Sequence, residues 1–178
     1  MKLHPYFPSL CIFIFLIMNG LLLNSEAQKM DNTCTTSEVR TQIVINADPT
    51  TIWNILLDVK NYPSWNPYIY EITGTIKKGS FVNFRMKNGD DERKFKAQIL
   101  ELKTNETWAW GGSLLFFFKA RHYFILQPID ATHTRLIQGE YWHGLFGKNF
   151  GKKVYRDACV NFEKMNVKLK QLAEGGRN

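Results

Sequence analysis

From Val39 the chain alternates: Val39, Thr41, Ile43 and Ile45 take one side, and Arg40, Gln42, Val44 and Asn46 the other. A period of two marks a half-buried strand. Asp48-Pro49 ends it and predicts a helix, with Asp48 as N-cap and Pro49 at the first helical position. Ile52, Ile55, Leu56 and Val59 then recur at helical spacing as one apolar stripe, which ends by Asn61. The stretch Tyr-Pro-Ser-Trp-Asn-Pro-Tyr follows at 62–68. Its two prolines forbid a long helix, and its three rings are too much apolar surface for a solvated loop. A short, kinked second helix is expected there.

Strand patterns come next in quick succession, over 69–75, 81–87, 93–103, 107–111, 117–128 and 135–143. Turn residues separate them at Lys77-Lys78-Gly79, at Asn88-Gly89-Asp90 (a type I′ signal) and at 130–133. Phe95, Ala97, Ile99 and Glu101 are expected on one face of the long strand. If Asp130 pairs with His133, then His122 faces Tyr141, His143 faces Ala120 and Glu140 faces Tyr123, which leaves neither histidine a carboxylate partner. The last pattern is helical: Val154, Ala158, Phe162, Met165, Leu169 and Leu172 recur every three or four residues from Phe150 to the stop at Gly175-Gly176. Such a helix is about 37 Å long. Seven short-linked strands imply an antiparallel sheet with one face for this helix to cover. Because a twisted sheet curls, a single helix leaves volume unfilled, and a cavity is expected.

The remaining segments concern targeting and redox state. Residues 10–23 form an apolar run interrupted by Asn19 and Gly20, followed by Ser25-Glu26-Ala27. The run spans about 21 Å as a helix, short of a bilayer core, so residues 1–27 read as a cleaved signal peptide of a secreted protein. The alternative is an uncleaved membrane anchor. Residues 28–38 read as a flexible polar lead-in, and residues 39–175 as one domain. The net charge of +7 suits acidic partners or anionic membranes. Secretion weighs against nucleic acid. Of the three cysteines, Cys11 lies in the apolar run, leaving Cys34 and Cys159 as a possible disulfide in an oxidising compartment. Asn105-Glu106-Thr107 is an N-glycosylation sequon between two strand patterns.

Three stretches carry a family resemblance: Trp53 through Tyr68, "HYFILQP" at 122–128 and "HTRLIQGEYWHGLFG" at 133–147. Together with the element order they resemble the START-like helix-grip superfamily (SRPBCC), in its polyketide cyclase/dehydrase and lipid-transport branch. The resemblance covers about residues 39–174. It implies an α+β helix-grip fold: a curved seven-stranded antiparallel sheet around a long C-terminal helix, two short helices after strand one, and an internal cavity. Carriers, receptors and cyclases share that scaffold, so the resemblance does not choose among them.

Motifs for zinc proteases, thiol redox centres, serine hydrolases and phosphate loops are missing, and no metal or cofactor is expected. Glu140, His122 and Tyr141 are weak acid/base candidates. Alternation puts Leu136, Gln138, Glu140 and Trp142 on one face and Arg135, Ile137, Gly139, Tyr141 and His143 on the other; both mix polar and apolar residues, so Glu140 is left either inside the cavity or outside, paired with Arg121 or Arg135. Rings are the positive signal, at 14% of the chain, and suit a wall for a small hydrophobic ligand such as a lipid, sterol, isoprenoid or polyketide. The candidate wall from the strands is Trp65, Tyr68, Phe84, Trp108, Trp110, Phe118, Phe124 and Tyr141. The helix adds Phe150, Val154 and Ala158. Entry is expected between residues 62–68, 111–118 and 144–151. Lys148, Lys152, Lys153 and Arg156 form a basic stripe for an anion or membrane surface. The readings in play are a non-catalytic binder or carrier, a cyclase/dehydrase enzyme, and a structural domain with a filled core.

Overall fold

The computed structural model describes residues 32–35, 37–88, 91–114, 118–144 and 152–175. Residues 1–31 (the expected signal peptide among them), the Gly89-Asp90 turn, Lys148 and Phe150 lie outside the described residues, as do residues 115–117 and the side chain of Lys152. Eight strands form one antiparallel sheet: β1 (Thr33–Cys34), β2 (Glu38–Ile45), β3 (Ile69–Gly74), β4 (Phe81–Asn88), β5 (Asp91–Lys103), β6 (Thr107–Leu114), β7 (Phe118–Pro128) and β8 (Thr134–His143). The helices are α1 (Pro49–Leu57), α2 (Tyr62–Trp65) and α3 (Lys152–Gly175), with a 3-10 turn at Val59–Asn61. The order across the sheet is β1-β2-β8-β7-β6-β5-β4-β3. The chain therefore leaves β2, crosses to the far edge through α1 and α2, and meanders back until β8 pairs with β2. The extra strand is β1, in the segment expected to be a flexible lead-in; Cys34 pairs with Val39 and is bonded to Cys159 of α3, Cα to Cα 6.1 Å.

Asp48 caps α1 as its sequence signature predicts, accepting from the backbone of Thr50 and Thr51 and from the Thr51 hydroxyl. Those bonds hold the Asp48 carboxyl below the usual carboxylate range. Asp48→Ala is expected to cost about 1 kcal/mol, measurable by denaturant unfolding, because orphaned helix N–H groups lose their acceptor. The 62–68 stretch does form the kinked second helix. Tyr62 is fully buried and donates to the Leu56 carbonyl at 2.8 Å, and Trp65 packs edge-on against it. Asn66, also buried, accepts from the backbone of Tyr68 (3.1 Å) and Ile69 (2.9 Å), so it fixes the turn into β3 and the aim of Tyr68.

Two registers differ from expectation. A bulge at Leu100 sets Ile99 opposite Trp110 but Glu101 opposite Ala109. One inserted residue reverses the face, so Glu101 points outward to Arg121 at 2.6 Å while Leu102 packs against the core. The β7–β8 hairpin closes with Pro128 opposite Thr134, one step from the expected pairing. Asp130 is the cause: its carboxylate accepts from the backbone of Thr132 and His133, and Ile129 N donates to His133 O, giving an odd-numbered loop. A single-residue slip changes every cross-strand partner. His122 consequently pairs with Glu140, Ala120 with Trp142, Lys119 with His143, and Tyr123 with Gly139.

Helix α3 packs mainly on β2, with further contacts to β1, β8 and the two short helices. It therefore grips one end of the sheet. The inner face of β4–β7 is left partly uncovered, and the functional site lies there.

Candidate functional site

Rows of inward side chains build the site. By register, Ile99, Trp110, His122 and Glu140 form one row across β5 to β8. The next inner positions toward the open end are Ala97 on β5, Gly112 and Ala120 (a cross-strand pair), and Trp142. Beyond them stand Phe95 and Phe118. A bulky row, then a small row, then a row of rings leaves a hollow over Ala97, Gly112 and Ala120. A Cβ added at Gly112 would meet nothing within 4 Å, consistent with open space above it. The resulting cavity has a volume of about 510 Å³ and is walled on the helix side by Val154, Ala158 and Phe162.

The floor is aromatic. Trp110 stacks on Phe84 (5.1 Å between centroids) and His122 (4.1 Å) and touches Trp108 and Phe124. Of the ring positions expected to form the wall, Tyr68, Trp110 and Phe118 line the cavity, as do Val154 and Ala158. Phe84, Trp108 and Phe124 belong instead to the buried core beneath it, and Trp65 is packed against Tyr62. Tyr141 is on the opposite face of the sheet, beside Tyr123 and His143, and has no access to the interior. Ala97, Ala120, Trp142 and Phe162 were missed. The first two make room rather than contact, a role that only strand alternation combined with register reveals.

Polar groups cluster where the cavity meets the floor. Burial alone pushes the Glu140 carboxyl up to about 7. It forms no hydrogen bond or ion pair among the described residues, and Arg121, a partner considered from sequence, is taken by Glu101. Burial pushes the His122 imidazole down to about 3, so it is neutral throughout the physiological range. Gln138 Nε2 donates to the Tyr68 hydroxyl at 3.1 Å and faces His122 Nε2 at 3.1 Å. Burial first, and the Glu140 charge second, raise Tyr68 far above an ordinary phenol. The rim is charged: Lys87, Asp91, Arg93, Lys96, Lys153 and Asp157 surround the opening. Of the expected basic stripe, Lys153 is at this rim, salt-bridged to Asp157, and Arg156 is exposed. Asn105, in the β5–β6 turn with φ 60°, donates its side-chain nitrogen to the Thr50 hydroxyl at 2.9 Å. Among the described residues, no group of three His, Cys, Asp or Glu side chains converges as a metal site requires.

A curved antiparallel sheet, a gripping helix and an apolar cavity between them define a helix-grip protein. Residues 36–174 match the family of polyketide cyclases, dehydrases and lipid-transport proteins, and the chain belongs to that family, whose ligands are small and hydrophobic. A START superfamily protein from Mycobacterium smegmatis superposes with a TM-score of 0.63 at 19% identity, covering 78% of this chain and 98% of that one. The Zhui aromatase/cyclase from a Streptomyces species gives 0.60 at 13% identity, over 77% and 93% of the two chains. The di-domain ARO/CYC protein BexL gives 0.61 at 13%, over 77% of this chain, which spans 46% of BexL. At these identities the likeness is one of fold. No curated protein matches the sequence.

Proposed function

We propose that this chain binds and carries a small hydrophobic molecule, a lipid, sterol, isoprenoid or polyketide-like compound, in the cavity between α3 and β4–β7. The observation that carries this reading is the set of small residues, Ala97, Gly112 and Ala120, between the bulky row of Trp110 and His122 and the rings of Phe95 and Phe118. A core under selection for packing alone would fill that row, since each unfilled methylene costs stability. Burial of ligand surface at about 25 cal/mol per Å² supplies the affinity. Secretion is part of the proposal, supported by the apolar run at 10–23 and by the Cys34–Cys159 bridge, which suits an oxidising compartment. In that setting Asn105 is the proposed glycan acceptor. The basic residues beside the rim are the proposed contact with an anionic membrane surface.

The test has two arms. Protein purified from its native host should release a stoichiometric apolar compound under denaturing mass spectrometry. Ala158→Trp, which puts an indole into the cavity from α3, should abolish that co-purification while leaving the unfolding transition within about 1 kcal/mol of the parent. An empty parent protein that ignores hydrophobic ligands would refute the carrier reading.

One observation favours catalysis as a second reading: the hairpin register sets Glu140 beside His122 at the cavity floor. A carboxyl near 7 is matched to proton transfer, whereas an imidazole near 3 is not. Glu140 is therefore the one acid/base group this enzyme would use. Turnover of a poly-β-keto substrate that is lost in Glu140→Gln would establish it.

A further inference from the structure

The polar end of the cavity bears on which hydrophobic molecules fit, an inference that rests on the ligand-binding reading above. Each cation described at the rim already has a neighbour. Lys153 is bonded to Asp157 and Arg93 to Asp91, while Lys96 lies over the Phe81 ring at 4.8 Å and Lys87 over the Tyr70 ring at 5.7 Å. Among the described residues, no ion pair reaches the floor. There, Tyr68 accepts from Gln138 through its oxygen, and its own hydrogen has no acceptor among the described residues. Glu140 has no hydrogen-bond or ion-pair partner among the described residues. A free fatty acid seated carboxylate-first at this floor would bring a second carboxylate to Glu140, with none of the described cations at the floor to share. A ketone or similar carbonyl would instead supply the acceptor that both hydroxyl hydrogens lack.

We propose that Glu140 and Tyr68 form a donor pair that anchors the carbonyl oxygen of a neutral apolar ligand at the cavity floor, and that the site rejects free carboxylic acids. Donation requires the protonated carboxyl. The protonated form prevails below about 7 and is lost above it, so carbonyl affinity falls as pH rises through that value. Neighbouring groups do not share the transition. His122 on β7 is already neutral, and Tyr68, just before β3, stays protonated because burial raises its hydroxyl. Across the cavity on α3, Lys153 and Asp157 are paired, and at the rim Asp91 is paired with Arg93, while Lys87 and Lys96 lie over the Tyr70 and Phe81 rings. On β2, Val39 stands opposite Glu140, while Glu38 reaches the outer face to accept from Tyr123.

Three probes with one skeleton separate the terms: 2-acetylphenanthrene, 2-ethylphenanthrene and phenanthrene-2-carboxylic acid, each titrated into the whole protein by tryptophan fluorescence at pH 6.0 and 8.5. The ketone should bind about tenfold tighter than the ethyl compound at pH 6.0, and at pH 8.5 the ratio should fall several-fold, to the share that Tyr68 alone supplies. The acid should be the weakest at pH 8.5. Glu140→Gln, which keeps the shape and a donor, should bind the ketone with no pH dependence, and Tyr68→Phe should lower the ketone's advantage several-fold. Equal binding of ketone and ethyl probe at both pH values, acid binding as tight as ketone binding, or an unchanged pH profile in Glu140→Gln would each overturn the donor pair while leaving the cavity reading standing. Failure of all three probes would overturn both.

Discussion

Replacing Cys34 and Cys159 together by serine should lower the unfolding free energy by about 3 kcal/mol and the melting temperature by roughly 10 °C. The two residues are 125 apart in sequence, so the bridge closes nearly the whole domain into one loop. A loop of that size removes about 4–5 kcal/mol of chain entropy from the unfolded state, of which a native bridge typically delivers 2–5. Little else holds the segment. β1 is two residues long and pairs only with β2, and Asn32 adds bonds to Glu163 (2.7 Å) and to the Gln42 backbone. The consequence extends to the cavity, because Val154, Ala158, Asn161 and Phe162 line it from the same stretch of α3 that Cys159 tethers. Reductant should therefore reproduce the loss in the parent protein, weaken binding of an apolar probe, and change nothing further in the double variant. Denaturant unfolding with and without reductant measures the first and the third, and titration of the apolar probe measures the second. Equal midpoints for parent and double variant would show that the bridge contributes nothing.

Gly111→Ala should destabilise by about 3 kcal/mol or abolish soluble expression, whereas Gly112→Ala, one residue on, should be nearly neutral. A Cβ at Gly111 would stand 2.1 Å from the carbonyl oxygen of Ala120 and 3.0 Å from Leu100 Cδ1. The first obstacle is backbone of a paired strand, so relief requires β6 and β7 to separate along the ladder that joins Trp110 to His122. The Leu100 contact exists because the β5 bulge swings that side chain across Gly111. At Gly112 the added methyl projects into the cavity and meets nothing within 4 Å. Paired chemical denaturation of the two variants tests the asymmetry. Equal effects would mean that the row structure of the cavity floor is wrong.

The local elements were legible because local rules make them. Asp48-Pro49 caps α1, Pro63 and Pro67 bound α2, and alternation in 39–45 and helical spacing in 154–172 need no distant partner to be recognised. With the strand count they fixed the class of fold, to within the two-residue β1. That strand carries no hydrophobic pattern and is held by a bond to a residue in the last helix, so nothing near it in sequence could announce it. The site was half legible for the same reason. Rings were visible, but a ring on the inner face becomes wall or core according to the size of its cross-strand neighbours, which is why Trp110 meets the cavity while Trp108 and Phe124 lie beneath it.

Sequence alone thus determined the elements, their order and the need for apolar contents in a sheet too curved for one helix to fill. Tertiary structure decided the faces. An aspartate in a five-residue loop and one extra leucine in β5 set two registers, and a shift of one residue exchanges partners across the whole hairpin. That shift turned Glu140 from a partner of Tyr123 into the neighbour of His122 and Tyr68, because pairing depends on how the turn closes and not on the residues being paired.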